Sequence, residues 1–305
     1  MRSGAAPLAL LASLLAAGAA AGLAQEGPGP GEEGPRPVRL AYRFQRLAGR
    51  TATYSIEHEQ RVLQRVQGRR ADDRGGGEVV SWARQTTEQA FEASGAGAAG
   101  RVDVTPRRVE ARVEGGGATA RYDSATAGPQ AAPDAFSTLA ARVGKTVTLE
   151  VTALGEVTGV RGVKTTERAA YLRTFVALPD RPLALGRGWE RLEREPMAPF
   201  GTIAFLFRYA LVEVTPGQDG APDRYRVEAT IRARLEDTVQ GGTTQVELTS
   251  QDGRGRLVLD ADGLLLESEI ESHLELTIRS AAGEQVQRVR SRTVQRLLEV
   301  RPTKS

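Results

Sequence analysis

YRVEATIRARL, residues 225–235, decides the fold class. Tyr225, Val227, Ala229, Ile231, Ala233 and Leu235 alternate with Arg226, Glu228, Thr230, Arg232 and Arg234. A period of two puts one face of a strand against a core and the other in water. Just upstream, Ile203, Phe205, Phe207, Tyr209 and Leu211 keep the same period, and the turn-forming stretch TPGQDGAP (215–222) folds the two runs into a hairpin. Further on, Leu264, Leu266, Ile270, Leu274, Leu276 and Ile278 mark one face of a long strand. It follows Asp262-Gly263, a strong two-residue hairpin signal that predicts Leu259 opposite Leu266. Residues 51–66, 79–93 and 101–114 read as bulged strands between glycine runs. Helical spacing is confined to the middle of the chain, at 133–141 and at 165–176, the second opened by a threonine cap and stopped by Pro179.

The expected fold is therefore mainly β: a large, twisted antiparallel sheet or half-barrel of about ten or more strands, with one or two short helices in the middle of the chain. Residues 39–305 form this β domain, as one unit or as two lobes divided near residue 130. The C-terminal arginines 288, 292 and 296 test the pairing. A turn at 281–282 sets Glu275 against Arg288, Glu271 against Arg292 and Glu267 against Arg296, while Leu274 meets Val289 and Leu266 meets Leu297 on the other face. Charge and apolar matching agree, so the basic row reads as a cross-strand ion-pair ladder and not as an anion site.

Ahead of the sheet lie two segments of different character. Arg2, the apolar run LALLASLL (8–15) and the small-residue site Gly22-Leu23-Ala24 have the order of a secretory signal peptide, 1–24, cleaved between Ala24 and Gln25. An uncleaved membrane anchor is the competing reading of the same run. Residues 25–38, rich in Pro, Gly and Glu, form a flexible linker. The chain has no cysteine, which leaves no disulfide framework, no thiolate metal site and no lipoprotein attachment. The expected location is periplasmic or extracellular, with no transmembrane segment after cleavage.

The net charge of +3 rests on 38 Arg and 3 Lys interspersed with acids, and aromatic residues make up only 5% of the chain. That composition does not make a nucleic-acid surface, which sets stacking platforms beside its cations. Gly144-Lys145-Thr146 imitates the end of a phosphate loop, but Leu139 stands where the first glycine is required and a strand follows. Asp260-Ala261-Asp262-Gly263 imitates a calcium loop, yet Val258 falls on the first ligand position, and hairpin chemistry accounts for the same residues. His58 and His273 lie on separate strands, the first reading as partly buried and hydrogen-bonded, the second as facing water among glutamates. No G-x-S-x-G elbow or zinc spacing is present. The sequence predicts no catalytic residue, no cofactor and no metal.

LPDRPLALGRGWE (178–190), LEVTALGEVTGVRG (149–162) and GRLVLDADGLLLESE (255–269) resemble blocks of an uncharacterised family of exported bacterial β proteins, a domain of unknown function. Leu178-Pro179, Gly186 or Gly188, and Trp189 match its leucine-proline, later glycine and tryptophan; the acidic residue often found before the tryptophan is replaced by Arg187. The resemblance covers most of residues 39–300 and implies no activity.

A curled sheet of this size is similar in shape to the half-barrel of periplasmic lipoprotein carriers. In that shape Phe205, Phe207, Tyr209, Leu211, Val227 and Ile231 line a concave surface for a lipid or another apolar envelope ligand. Ordinary core packing is the competing reading of the same six residues. Two functions follow: a carrier of a hydrophobic ligand, or a structural or protein-interaction module with an envelope protein partner. An apolar cavity above roughly 300 Å³ marks the first; a filled core with an exposed sheet edge marks the second.

Overall fold

The computed structural model describes residues 37–68, 76–94, 99–172, 174–196, 202–218, 221–236, 245–280 and 283–303. The signal peptide, its cleavage site at Ala24 and Gln25, and the linker up to residue 36 lie outside the described residues. Among the described residues twelve strands make one sheet: β1 (Arg50–Gly68), β2 (Gly76–Ser94), β3 (Ala99–Gly115), β4 (Ala118–Asp123), β5 (Val147–Thr152), β6 (Val157–Arg161), β7 (Gly188–Pro196), β8 (Thr202–Thr215), β9 (Arg224–Glu236), β10 (Gln245–Asp260), β11 (Leu265–Ser280) and β12 (Gly283–Pro302). In space they run β6-β5-β3-β2-β1-β12-β11-β10-β9-β8-β7, with β4 beside β3. The chain meanders outward from β1 to one edge, crosses, and meanders back to β12, which pairs with β1 from Arg50 opposite Pro302 to Gly68 opposite Gly283. First and last strands are thus central, and β6 and β7 form the edges.

The outer side of β3 is divided between two partners. Residues 99–104 pair with β5 and 110–115 with β4, and Pro106 sits between them beside a bulge at Thr86 and Thr87 of β2. Proline has no N–H to give a ladder, so a gap at a bulge is where a long strand tolerates it.

The ladder predicted for β11 and β12 is observed. Glu275, Glu271 and Glu267 stand opposite Arg288, Arg292 and Arg296, and Leu274 stands opposite Val289. Arg296 lies 3.7 Å from Glu267, Arg288 pairs with Glu275, and Arg292 reaches Glu271 at 3.8 Å while leaning closer to Glu269. The turn before β11 differs by one residue from expectation: Leu259 faces Leu265, across a bulge after Val258. Asp260 accepts the N–H groups of Asp262 and Leu264 on its side chain, and its own N–H bonds to the Leu264 carbonyl, which widens the loop beyond two residues.

Of the predicted helices, the first is a 3-10 turn, Asp134–Phe136, running into α2 (Ser137–Ala140), where α1 is the unpredicted short helix Phe44–Leu47. The second is corrected to a 3-10 helix over Thr165–Tyr171. It cannot continue to residue 176, because the backbone N–H and carbonyl of Val176 are both bonded to the Tyr42 hydroxyl. The main core fills the inner face of the sheet from Val102 and Leu149 on one side to Phe207 and Leu211 on the other. A smaller core of Val109, Ala111, Tyr122, Phe136 and Ala140 lies under α2.

Candidate functional site

The six residues singled out as a lining share the inner face of β8 and β9. Register places Phe207 opposite Ile231 and Leu211 opposite Val227, with Tyr209 between them and Phe205 one step beyond. The rings of Phe205, Phe207 and Tyr209 follow one another at 6.5 and 6.1 Å, and Trp189 of β7 stacks on Tyr209 at 4.9 Å. All six are buried, Leu211 and Val227 completely. On the edge strand the same face turns polar: Arg191 stands opposite Phe207 and Glu193 opposite Phe205, joined to each other at 3.0 Å. The geometry is an apolar trough with a charged rim along β7.

The N-terminal segment of the chain packs into the same core, over β2 and β3. Val38 exchanges backbone bonds with Leu183 at 2.8 Å in both directions. The segment then passes between two hairpin turns: Tyr42 donates its N–H to the Ala153 carbonyl at 2.8 Å, and Arg43 to the Asp262 carbonyl at 2.9 Å. Leu40, Tyr42, Phe44 and Leu47 are buried in the main core. A second segment closes over them. Trp189 gives its indole N–H to the Ala177 carbonyl at 2.8 Å, Leu178 bonds to Leu154, and Phe175 meets Tyr42 edge to face at 5.3 Å.

Glycines make this close approach sterically feasible. Gly155 and Gly263 adopt φ of 81° and 85°, a region that penalises any side chain. A methyl on Gly155 would lie 2.2 Å from the Val176 carbonyl oxygen, and one on Gly263 would lie 2.7 Å from that of Ala41. Gly100 of β3 lies directly beneath the Phe44 ring, so that its missing Cβ is the space the ring occupies.

The cavity bordered by Tyr42, Leu47, Tyr54, Phe91, Phe175 and Leu264 measures about 20 Å³, room for about one water molecule and no acyl chain. Of the larger hollows, the one of about 690 Å³ beside Trp82, Arg112 and Arg121 is bordered half by charged residues and the one of about 580 Å³ beside Arg61, His273 and Arg290 mostly so, and neither touches the six predicted lining residues.

Burial also sets the titrations. It raises the Tyr42 hydroxyl against the smaller, opposing effect of its bond to Val176, and raises the Asp260 carboxyl against the N–H groups of Leu264 and Asp262. The His58 imidazole is lowered by burial; its Nδ1 lies 2.9 Å from the Thr293 hydroxyl. Thr293 stands opposite both His58 and Ile270, which puts His58 and His273 on opposite faces of the sheet. His273 lies 3.3 Å from Asp252, a partner the sequence reading did not anticipate. Among the described residues no three His, Asp or Glu side chains are grouped to hold a metal ion.

Sequence reasoning missed the inserted segment at Val38–Leu47 and the matching turns that grip it. The signal was present, because LEVTALG (149–155) and LVLDADG (257–263) share an apolar-x-apolar frame followed by Thr or Asp, Ala, any residue and Gly.

These features define an open antiparallel sheet wrapped around its own N-terminal segment. No family model and no curated protein matches the chain. Among solved structures it is similar to lipovitellin, in a structure titled for lipid–protein interactions, with a TM-score of 0.50 and 10% identity over 85% of this chain and 26% of that one. The chain thus spans about a quarter of the length of lipovitellin, and the likeness concerns the fold alone. An outer membrane channel from Pseudomonas putida F1 aligns over 89% of this chain and 100% of that one at 11% identity, but its TM-score of 0.21 carries no argument.

Proposed function

We propose that the protein is an exported, non-enzymatic component of a bacterial envelope that works as a structural or protein-interaction module. The burial of the six predicted lining residues carries this reading: none is more than 8% exposed, so the apolar face of β8 and β9 is packed as core and not left open to a ligand. Beside it, β7 ends the sheet with a strand edge that no described strand pairs. Export is supported by the order of charged start, apolar run and small-residue site at the N-terminus.

A second reading, carriage of a lipid or another apolar ligand, is favoured by the fold-level likeness to lipovitellin and by the apolar surface beneath the inserted segment. It requires the buried inner face of β8 and β9 to open. The test is native mass spectrometry of the chain expressed from its full reading frame and purified without detergent, followed by organic extraction. A ligand-free mass is expected. Lipid at near-stoichiometric occupancy would overturn the module reading in favour of carriage.

A further inference from the structure

The edge strand β7 reads, around Leu192, Glu190-Arg191-Leu192-Glu193-Arg194. Reversed against itself about Leu192, this run is charge-complementary at every position. Glu190 meets Arg194 of a second copy, Arg191 meets Glu193, and Leu192 meets its own counterpart. Opposite charges directly across an antiparallel pair stabilise it, and like charges oppose it. The backbone phase agrees. Leu211 donates its N–H to the Arg187 carbonyl at 3.0 Å, so the odd-numbered residues of β7 bond to β8 while the N–H and C=O groups of Glu190, Leu192 and Arg194 point away from the sheet. Leu192 itself is 41% exposed, one of the few large apolar side chains left in water.

The inner face of the strand adds selectivity. Arg191 and Glu193 point inward beside Phe207 and Phe205, joined to each other at 3.0 Å, and inward charges on an edge deter a generic strand, which brings no opposite charges to them. A second copy, related by a two-fold axis through Leu192, brings a Glu193 to each Arg191. We propose that β7 is the interface of a homodimer in which two sheets join edge to edge through antiparallel β7 strands. The proposal rests on the module reading above and supplies its partner, a second copy of this chain. An isologous contact of this kind closes at two subunits and leaves no further β7 edge to grow from.

The test is native mass spectrometry together with sedimentation of the full chain through a series reaching about 100 µM, because an interface of one strand pair lies below standard size and binds weakly. A dimer is expected. Glu190→Arg sets arginine against arginine twice across the axis and should weaken association about tenfold or more. Glu190→Arg also breaks the 2.7 Å pair of Glu190 with Arg208 within the chain, and adding Arg194→Glu, which should restore the dimer, breaks the 2.7 Å pair of Arg194 with Glu236. Leu192→Pro removes an outward N–H without touching the β8 ladder and should give a folded monomer, with circular dichroism checking the fold of each variant. A wild-type monomer across the series, an open-ended polymer, or a double variant that stays monomeric would each overturn the proposal. The same spectra report bound lipid separately, so a ligand-free monomer removes the dimer and leaves the module reading intact, whereas a lipid-loaded dimer does the reverse.

Discussion

The turn between β5 and β6 and the turn between β10 and β11 are built alike, bond for bond. Thr152 and Asp260 each donate their N–H to the carbonyl four residues on, each accept the N–H of the following glycine on their own carbonyl, and each accept two more N–H groups on a side-chain oxygen. Even the bulges correspond, after Glu150 in one hairpin and after Val258 in the other. Both turns present a carbonyl to the inserted N-terminal segment, one to Tyr42 and one to Arg43. They differ at two side chains: a hydroxyl caps the first turn and a partly buried carboxylate the second, and Leu154 stands where the second turn has Asp262. Backbone shape is therefore the shared requirement, and the residue that enforces it can carry a charge or not.

Shape is also where the comparison breaks most readily. Gly155→Ala forces a side chain into φ 81° and into the Val176 carbonyl, and Gly263→Ala meets the Ala41 carbonyl in the same way. Each substitution should cost roughly 2–5 kcal/mol of stability, from strain plus overpacking, read as a lower urea midpoint. Gly49 is the control: its φ is 72° but nothing lies within 4 Å of a built Cβ, so Gly49→Ala should cost only about 1–2 kcal/mol. Equal losses at all three positions would mean that the inserted segment is not gripped by the two turns.

A smaller effect tests the grip from the other side. The Tyr42 hydroxyl accepts the Val176 N–H at 3.1 Å and donates to the Val176 carbonyl at 3.2 Å, which ties the covering segment to the inserted one. Tyr42→Phe keeps the ring and leaves that buried backbone unsatisfied, at a cost of about 1–3 kcal/mol. Hydrogen exchange should then rise first at residues 174–178, and uniform protection there would separate the covering segment from the clamp.

Much of this architecture was legible because period-two alternation is a local property. Most strands, the hairpin at 215–222 and the β11–β12 register follow from neighbours in sequence, whereas β4, β6 and the edge strand β7 were not read from it, and the ladder of Glu275, Glu271 and Glu267 against the arginines of β12 was readable from charge alone. The trough was legible only by half. Alternation put Phe205, Phe207 and Tyr209 on one face, but what covers that face depends on contacts between positions as distant as Tyr42 and Val176, which no periodicity encodes. The helix read at 165–176 failed for the same reason: Thr165 and Glu167 begin one as expected, and a hydroxyl from far upstream claims the backbone that would have continued it. Leu259 was misplaced by one residue because the Asp-Gly rule does not see a side chain two positions earlier capping the loop.

The smallest effect comes from that capping side chain, where the two turns differ in charge. Burial raises the Asp260 carboxyl in the folded state, so the folded protein holds this proton more tightly than the unfolded chain does. The stability it contributes is complete at pH below the unfolded value and is lost as pH rises through the folded one, leaving the cost of a buried carboxylate at neutral pH. Thr152 has no such dependence. Asp260→Asn keeps the oxygen that accepts from Asp262 and Leu264 and should flatten the urea midpoint across this acid window, while Thr152→Asp should steepen its fall with rising pH. His58 acts with the opposite sign, since burial lowers it and its contribution is lost as pH falls below the ordinary histidine value. Repeating the series with His58→Gln separates the two. If Asp260→Asn leaves the pH profile unchanged in that background, the carboxylate and the hydroxyl are equivalent caps, and the two turns do not differ in pH response either.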